Sequence, residues 1–128
     1  MDGPTVLIAD DDPVSAHLLR HCLTSAGFRV VCADEGREAL ALMASEAPVL
    51  AVLDVMMPVM DGIEVLRRAK ADPRLSAIPV IMVTSREQDQ DILEAVKIGA
   101  TDYLVKPFMP TELLSRVARI VAERRRVA

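Results

Sequence analysis

The sequence predicts a parallel α/β fold, a (βα)5 three-layer sandwich of five strands covered on both faces by helices. Three observations predict it. Five short runs rich in Val, Ile and Leu alternate with five stretches of helical periodicity. The first, third and fourth runs are apolar almost throughout instead of alternating, the pattern of strands buried on both faces. The turn and cap residues fall where that segmentation needs them.

In order, "TVLIA" (from Thr5) is the first strand, and the helix from Val14 to Ala26 follows it. Asp12 stands at the N-cap and Pro13 at a first helical position, where its missing N–H costs nothing. Gly27 falls where this helix ends. "FRVVCA" (from Phe28) is the second strand, followed by a helix from Glu35 to Ala47. "VLAVL" (from Val49) is the third, leading through a loop to a helix from Ile63 to Ala71, which Asp61 and Glu64 open in capping-box spacing, with Gly62 suiting the turn into it. "PVIMV" (from Pro79) is the fourth strand. Its helix runs from Gln88 to Ile98, with Ser85 and Gln88 in the same spacing and Gly99 at the end. "YLV" (from Tyr103) is the fifth strand, and the last helix runs from Thr111 to Arg125. Arg124, Arg125 and Arg126 form a solvated helix end favourable to the macrodipole.

A length of 128 residues suits one domain spanning 1–128, with residues 122–128 readable as the start of a linker to an output domain. A net charge of −4 and 2% aromatic residues argue against direct nucleic-acid binding. The longest apolar region, "APVLAVLDVMMPVM", is broken by Asp54 and Pro58 well short of a bilayer span, so no membrane association is expected. Met1 is followed by Asp2, Gly3 and Pro4 with no leader pattern, so a cytoplasmic location is expected. Cys22 and Cys32 lack metal or redox spacing and read as reduced core thiols. His17 and His21 share a helix face at i, i+4, but no third ligand is evident, so they read as a surface pair.

In an open parallel sheet, ligands sit at the carboxyl ends of the strands. Those ends carry Asp10, Asp11 and Asp12 after the first strand, Asp34 after the second, Asp54 after the third, Thr84 and Ser85 after the fourth, and Lys106 and Pro107 after the fifth. Singly, each has an ordinary reading as a cap, turn or solvated charge. Together they lie on one edge. Two carboxylates about 4 Å apart repel by roughly 4 kcal/mol at an effective dielectric near 20, so such a cluster calls for a cation. Hard oxygen donors favour Mg²⁺, which completes its shell with water and a phosphoryl oxygen. Thr84 can donate a hydrogen bond to that group, Lys106 can supply a positive charge, and Asp54 can act as the nucleophile.

The stretches "LIADDDP", "LDVMMPVMDG", "VTS", "GATDYLVKPF" and "TELLSRV" resemble the receiver domain of two-component response regulators, a CheY-like module, over essentially the whole chain. The resemblance implies a flavodoxin-like sheet of order 2-1-3-4-5. It implies that Asp54 accepts a phosphoryl group from a sensor histidine kinase or a histidine phosphotransfer protein. Asp11, Asp54 and the main-chain carbonyl of Met56 would hold Mg²⁺, or Mn²⁺ in its place, with Asp10 acting through water. Lys106 would bind the phosphoryl oxygen, with a cis bond to Pro107. Thr84 and Tyr103 would switch, changing the surface of the fourth helix, fifth strand and fifth helix for a downstream effector, a fused output domain or a phosphorylation-dependent homodimer. Catalysis is then confined to the domain's own phosphorylation and dephosphorylation.

Within the pattern, Met56 and Arg86 occupy the two positions that tune phosphoryl lifetime in receivers. Neither offers a carboxylate or amide to orient water, which predicts a long-lived aspartyl phosphate. Met109 stands before Pro110 where a capping Ser or Asp is commonly preferred. Two other readings compete. A receiver-like interaction module would work without phosphorylation. "DDDPV" also resembles the first motif of haloacid-dehalogenase-type phosphohydrolases, with Asp10 as nucleophile and Asp12 as acid/base, but the later acidic motif of that family is missing.

Overall fold

The computed structural model describes residues 3–85 and 89–127. Its elements are β1 (Thr5–Ala9), α1 (Pro13–Ser25), β2 (Arg29–Ala33), α2 (Gly36–Glu46), β3 (Leu50–Asp54), α3 (Gly62–Ala71), β4 (Val80–Ser85), α4 (Asp89–Ile98), β5 (Asp102–Lys106) and α5 (Pro110–Val127). All neighbouring strands are parallel, in the order β2-β1-β3-β4-β5. The expected α/β sandwich and strand order are therefore those of the molecule.

The period-two alternation of the strands divides the core into two apolar layers. Leu7, Ala9, Ala51, Leu53, Val80 and Met82 face one layer, completed by Ala39 and Met43 of α2, Val65, Leu66 and Ala69 of α3, and Ala95 of α4. Val6, Ile8, Leu50, Val52, Ile81 and Val83 face the other, against Leu19 and Leu23 of α1 and Leu113 and Val117 of α5. Each fully buried Leu or Ile side chain contributes about 1.5–3 kcal/mol, so the central strands are anchored from both sides. This rigidity positions their carboxyl ends.

The helix starts follow local chemistry. Asp12 caps α1 by accepting from the Val14 N–H at 3.2 Å, and Asp61 caps α3 by accepting from the Glu64 N–H at 2.9 Å. Glu64 does not complete the capping box: its carboxylate goes to Arg67 at 2.7 Å and Arg68 at 2.9 Å. At α5 the opposite half forms, with the Met109 N–H donating to the Glu112 carboxylate at 3.0 Å, which compensates for the absent Ser or Asp. The expected Ser85–Gln88 box falls partly outside the described residues. Gly27 and Gly99 end their helices at φ +98° and +126°, left-handed conformations that favour glycine.

Two expectations need correction. Cys22 is buried, but Cys32 is exposed, because β2 is an edge strand with only one strand neighbour. Arg124 is not simply solvated: its guanidinium donates to the Ala77 carbonyl at 3.0 Å, tying α5 to the segment before β4. His17 and His21 are both exposed on α1.

Candidate functional site

Asp54 and Lys106 are the last residues of β3 and β5, and Thr84 is the second-last of β4, at the strand ends where the sequence places them. Asp10 follows β1 directly, held by its N–H donating to the Ala33 carbonyl at 3.1 Å. Because β3 lies between β1 and β4, Asp10 and Asp54 end on adjacent strands. Asp10, Asp54 and Thr84 are the buried polar residues of the described chain, at 3%, 6% and 1% exposure. Burying carboxylates requires compensation. Lys106 Nζ supplies it, 3.1 Å from Asp54 Oδ2 and 3.3 Å from Asp10 Oδ2. The remaining oxygens accept backbone N–H groups: Asp12 donates to Asp10 Oδ1 at 2.9 Å and Met56 to Asp54 Oδ1 at 3.3 Å.

Asp11 is exposed, and one of its carboxylate oxygens joins those of Asp10 and Asp54 within 4.8 Å of one another. Among the described residues this three-carboxylate donor set faces Lys106, so negative charge is in excess there. Burial pushes the Asp54 carboxyl up to about 6, the Asp10 charge and hydrogen bond push the same way, and Lys106 opposes them. Lys106 is held above its ordinary value: burial works against its charge, but pairing with Asp54 and Asp10 outweighs that. A hard divalent cation would relieve the carboxylate excess. Asp12 stands outside the cluster as the cap of α1, and nothing here supports a role for it as acid/base.

The β3–α3 loop holds the Asp54 end in place. The Gly62 N–H donates to the Val55 carbonyl at 2.9 Å, and a Cβ on Gly62 would stand 2.2 Å from the Asp54 carbonyl oxygen. Only glycine allows the start of α3 to approach β3 this closely. Met56 is exposed on this loop, while Met57 is buried in the core.

Thr84 Oγ1 donates to the Ser85 carbonyl at 3.3 Å, and in the β4–β5 register Thr84 stands opposite Val105 and Met82 opposite Tyr103. The Tyr103 ring is exposed. The Lys106–Pro107 peptide bond is cis. Arg86 lies outside the described residues.

Three features of this region were not legible as sequence signals. Arg119 pairs with Asp102 at 2.7 Å, and Arg116 donates to the Tyr103 carbonyl, so α5 grips β5 on both sides of the tyrosine backbone. Arg67 of α3 pairs with Glu94 of α4 at 2.6 Å. Val59 adopts φ +68° beside the Asp54 loop. Each depends on contacts or backbone geometry that no residue pattern announces.

Comparison with known proteins agrees with this geometry. A family model described as "Response regulator receiver domain" matches residues 6–118. The transcriptional regulatory protein GltR of Pseudomonas aeruginosa is 37% identical over 120 residues, covering 94% of this chain and 50% of that protein. The DNA-binding dual master transcriptional regulator RpaA of Synechocystis is 40% identical over 124 residues, covering 97% and 52%. The chain thus spans about half the length of the curated relatives it matches. Among solved structures, a putative response regulator from Chloroflexus aurantiacus is similar at a TM-score of 0.89 and 36% identity, covering 94% of this chain and 99% of that one. The receiver domain of a sensor histidine kinase from Pseudomonas aeruginosa, with a magnesium ion coordinated in its active-site cleft, is similar at a TM-score of 0.87 and 28% identity, covering 94% and 98%.

Proposed function

The chain belongs to the response regulator receiver domain family, and from that premise we propose that it is a phosphorylation-controlled switch with Asp54 as phosphoryl acceptor. One observation carries the reading: Asp54 ends the central strand with Lys106 Nζ 3.1 Å from one carboxylate oxygen, inside a three-carboxylate donor set. The donor is a phosphohistidine on a sensor histidine kinase or phosphotransfer protein. As the Asp54 Oδ–P bond forms, the donor's N–P bond breaks and the electron pair leaves with the imidazole nitrogen; the other ring nitrogen carries a proton in the phosphohistidine, so the histidine is left neutral. Lys106 donates to a phosphoryl oxygen, offsetting charge as it develops.

The oxygen donors fit Mg²⁺, and Mn²⁺ accepts the same set. Asp11, Asp54 and the main-chain carbonyl of Met56 hold the ion, with Asp10 acting through water. When bound, it supplies positive charge that makes a phosphoryl group acceptable beside the carboxylates. The excess of negative charge around Lys106 supports that assignment.

In the switched state Thr84 turns its hydroxyl from the Ser85 carbonyl to the phosphoryl group, and Tyr103 turns inward. The α4-β5-α5 surface changes for an output domain or for a phosphorylation-dependent homodimer. Moving such an equilibrium from 1:99 to 99:1 takes about 5.5 kcal/mol of differential stabilisation. Hydrolysis of the aspartyl phosphate resets the switch, and the absence of a carboxylate or amide at Met56 and Arg86 makes that slow. The domain works in the cytoplasm, acts on no external substrate, and carries no nucleic-acid or membrane contact of its own. Among the described residues no helix is long and apolar enough to cross a membrane.

The test is Mg²⁺-dependent labelling of the intact protein by acetyl phosphate, mapped to Asp54 and lost in Asp54→Asn. No labelling would favour an interaction module that works without phosphorylation.

A further inference from the structure

A cleft of about 420 Å³ opens at the amino edge of the sheet, where Pro79 immediately precedes β4 and Thr101 immediately precedes β5. The strands are parallel, so this edge is the one opposite Asp54, Thr84 and Lys106. Its volume suits a small molecule. Pro79 and buried Ile120 give the cleft apolar walls, while two cations from different helices line it as well.

Lys70, in the last turn of α3, donates to the Ser76 carbonyl at 3.1 Å and the Ile78 carbonyl at 3.4 Å. Arg124 of α5 donates to the Ala77 carbonyl between them at 3.0 Å. Both side chains are thus fixed on one short turn, and both keep N–H groups to spare. The Lys70 stem is held too, since a Cβ on Gly99 would meet its Cε at 3.6 Å. Among the described residues neither cation is in an ion pair. Burial pushes the Lys70 ammonium down, and no carboxylate offsets it. Thr101 Oγ1 accepts from the Val80 N–H at 3.2 Å, which leaves its own O–H to donate. Exposed Glu123 is the one carboxylate lining the cleft. Two cations against one carboxylate leave a single positive charge in excess. A ligand with one negative charge balances it; a phosphate, with nearly two at neutral pH, exceeds it.

We propose that this cleft binds a small organic monocarboxylate with a short hydrocarbon body, the carboxylate held by Lys70 and Arg124 and the body lying on Pro79 and Ile120. The planar guanidinium matches a carboxylate in shape as well as charge. The site is independent of Asp54 and would stand if the chain were never phosphorylated. The test is titration of the intact, isotopically labelled protein followed by amide NMR shifts. Octanoate should shift Ala77, Thr101 and Glu123 saturably, with a Kd of about 1 mM or below. Octanamide, which lacks the charge, and suberate, which carries a second, should each bind about tenfold more weakly. Lys70→Met and Arg124→Met should each weaken octanoate about tenfold with the remaining spectrum unchanged. Glu123→Gln, on an exposed side chain that the fold does not need, should tighten it about twofold. Asp54→Asn should bind octanoate as the unaltered protein does. Absence of saturable shifts, shifts centred elsewhere, octanamide or suberate binding as tightly as octanoate, or weaker binding in Glu123→Gln would each overturn the proposal.

Discussion

Replacing Asp54 by asparagine should stabilise the metal-free protein while abolishing its phosphorylation. The folded-state carboxyl is pushed up to about 6 from an ordinary 3.8, chiefly by burial and then by Asp10. The native state therefore binds this proton more tightly than the unfolded chain does. The associated stability is full below the unfolded value and is lost as pH rises from about 4 through about 6. Above that, keeping Asp54 ionised costs on the order of 3 kcal/mol, from about 2 pK units at 1.36 kcal/mol each. Asparagine avoids that cost, retains one acceptor, and leaves Lys106 its contact with Asp10 at 3.3 Å. For a chain of 128 residues, 3 kcal/mol corresponds to a Tm rise of roughly 10 °C. The assay is thermal unfolding in EDTA at pH 7.5 and again at pH 4. The gap should be large at the first pH and small at the second. Mg²⁺ at 100 times its Kd should then add about 2.7 kcal/mol to the unaltered protein and narrow the gap. An asparagine variant that melts at or below the unaltered protein at pH 7.5, or a gap undiminished at pH 4, would refute the reasoning.

Asp11→Ala should abolish Mg²⁺-dependent labelling by acetyl phosphate, whereas Asp12→Ala should cost about 1 kcal/mol of stability through loss of the α1 cap and leave labelling nearly intact; the opposite pattern would reverse the division between metal site and cap. Gly62→Ala should lower the Tm and slow labelling together, since its Cβ would press on the Asp54 carbonyl oxygen at 2.2 Å; an unchanged Tm would show that the loop yields at no cost. Leu53→Ala, beneath the site, should destabilise by about 2–5 kcal/mol in denaturant unfolding. The aspartyl phosphate should persist for minutes or longer after donor removal, and a half-life of seconds would count against the roles given to Met56 and Arg86.

Much of this molecule is local chemistry and therefore legible in one dimension. Strand and helix periodicities differ, so the ten elements can be found from the apolar pattern, and caps such as Asp12 and Asp61 act on N–H groups two or three residues away. The polar residues at the strand ends could be listed for the same reason, and the five motifs named the family. What the chain alone could not decide was distance between remote segments. Lys106 meets Asp10 across 96 residues and Asp54 across 52, and only the assembled sheet brings the ends of β1, β3 and β5 within reach of one side chain, since β4 lies between β3 and β5. The same long-range packing leaves Cys32 on an exposed edge, draws Arg124 to Ala77, and turns Glu64 from its cap to Arg67 and Arg68. It also raises the Asp54 pKa, because burial and a second carboxylate act on it only after the strands assemble. The elements and the chemical groups at their ends are written locally along the chain, whereas long-range packing selects which groups share one low-dielectric site and how strongly their charges interact.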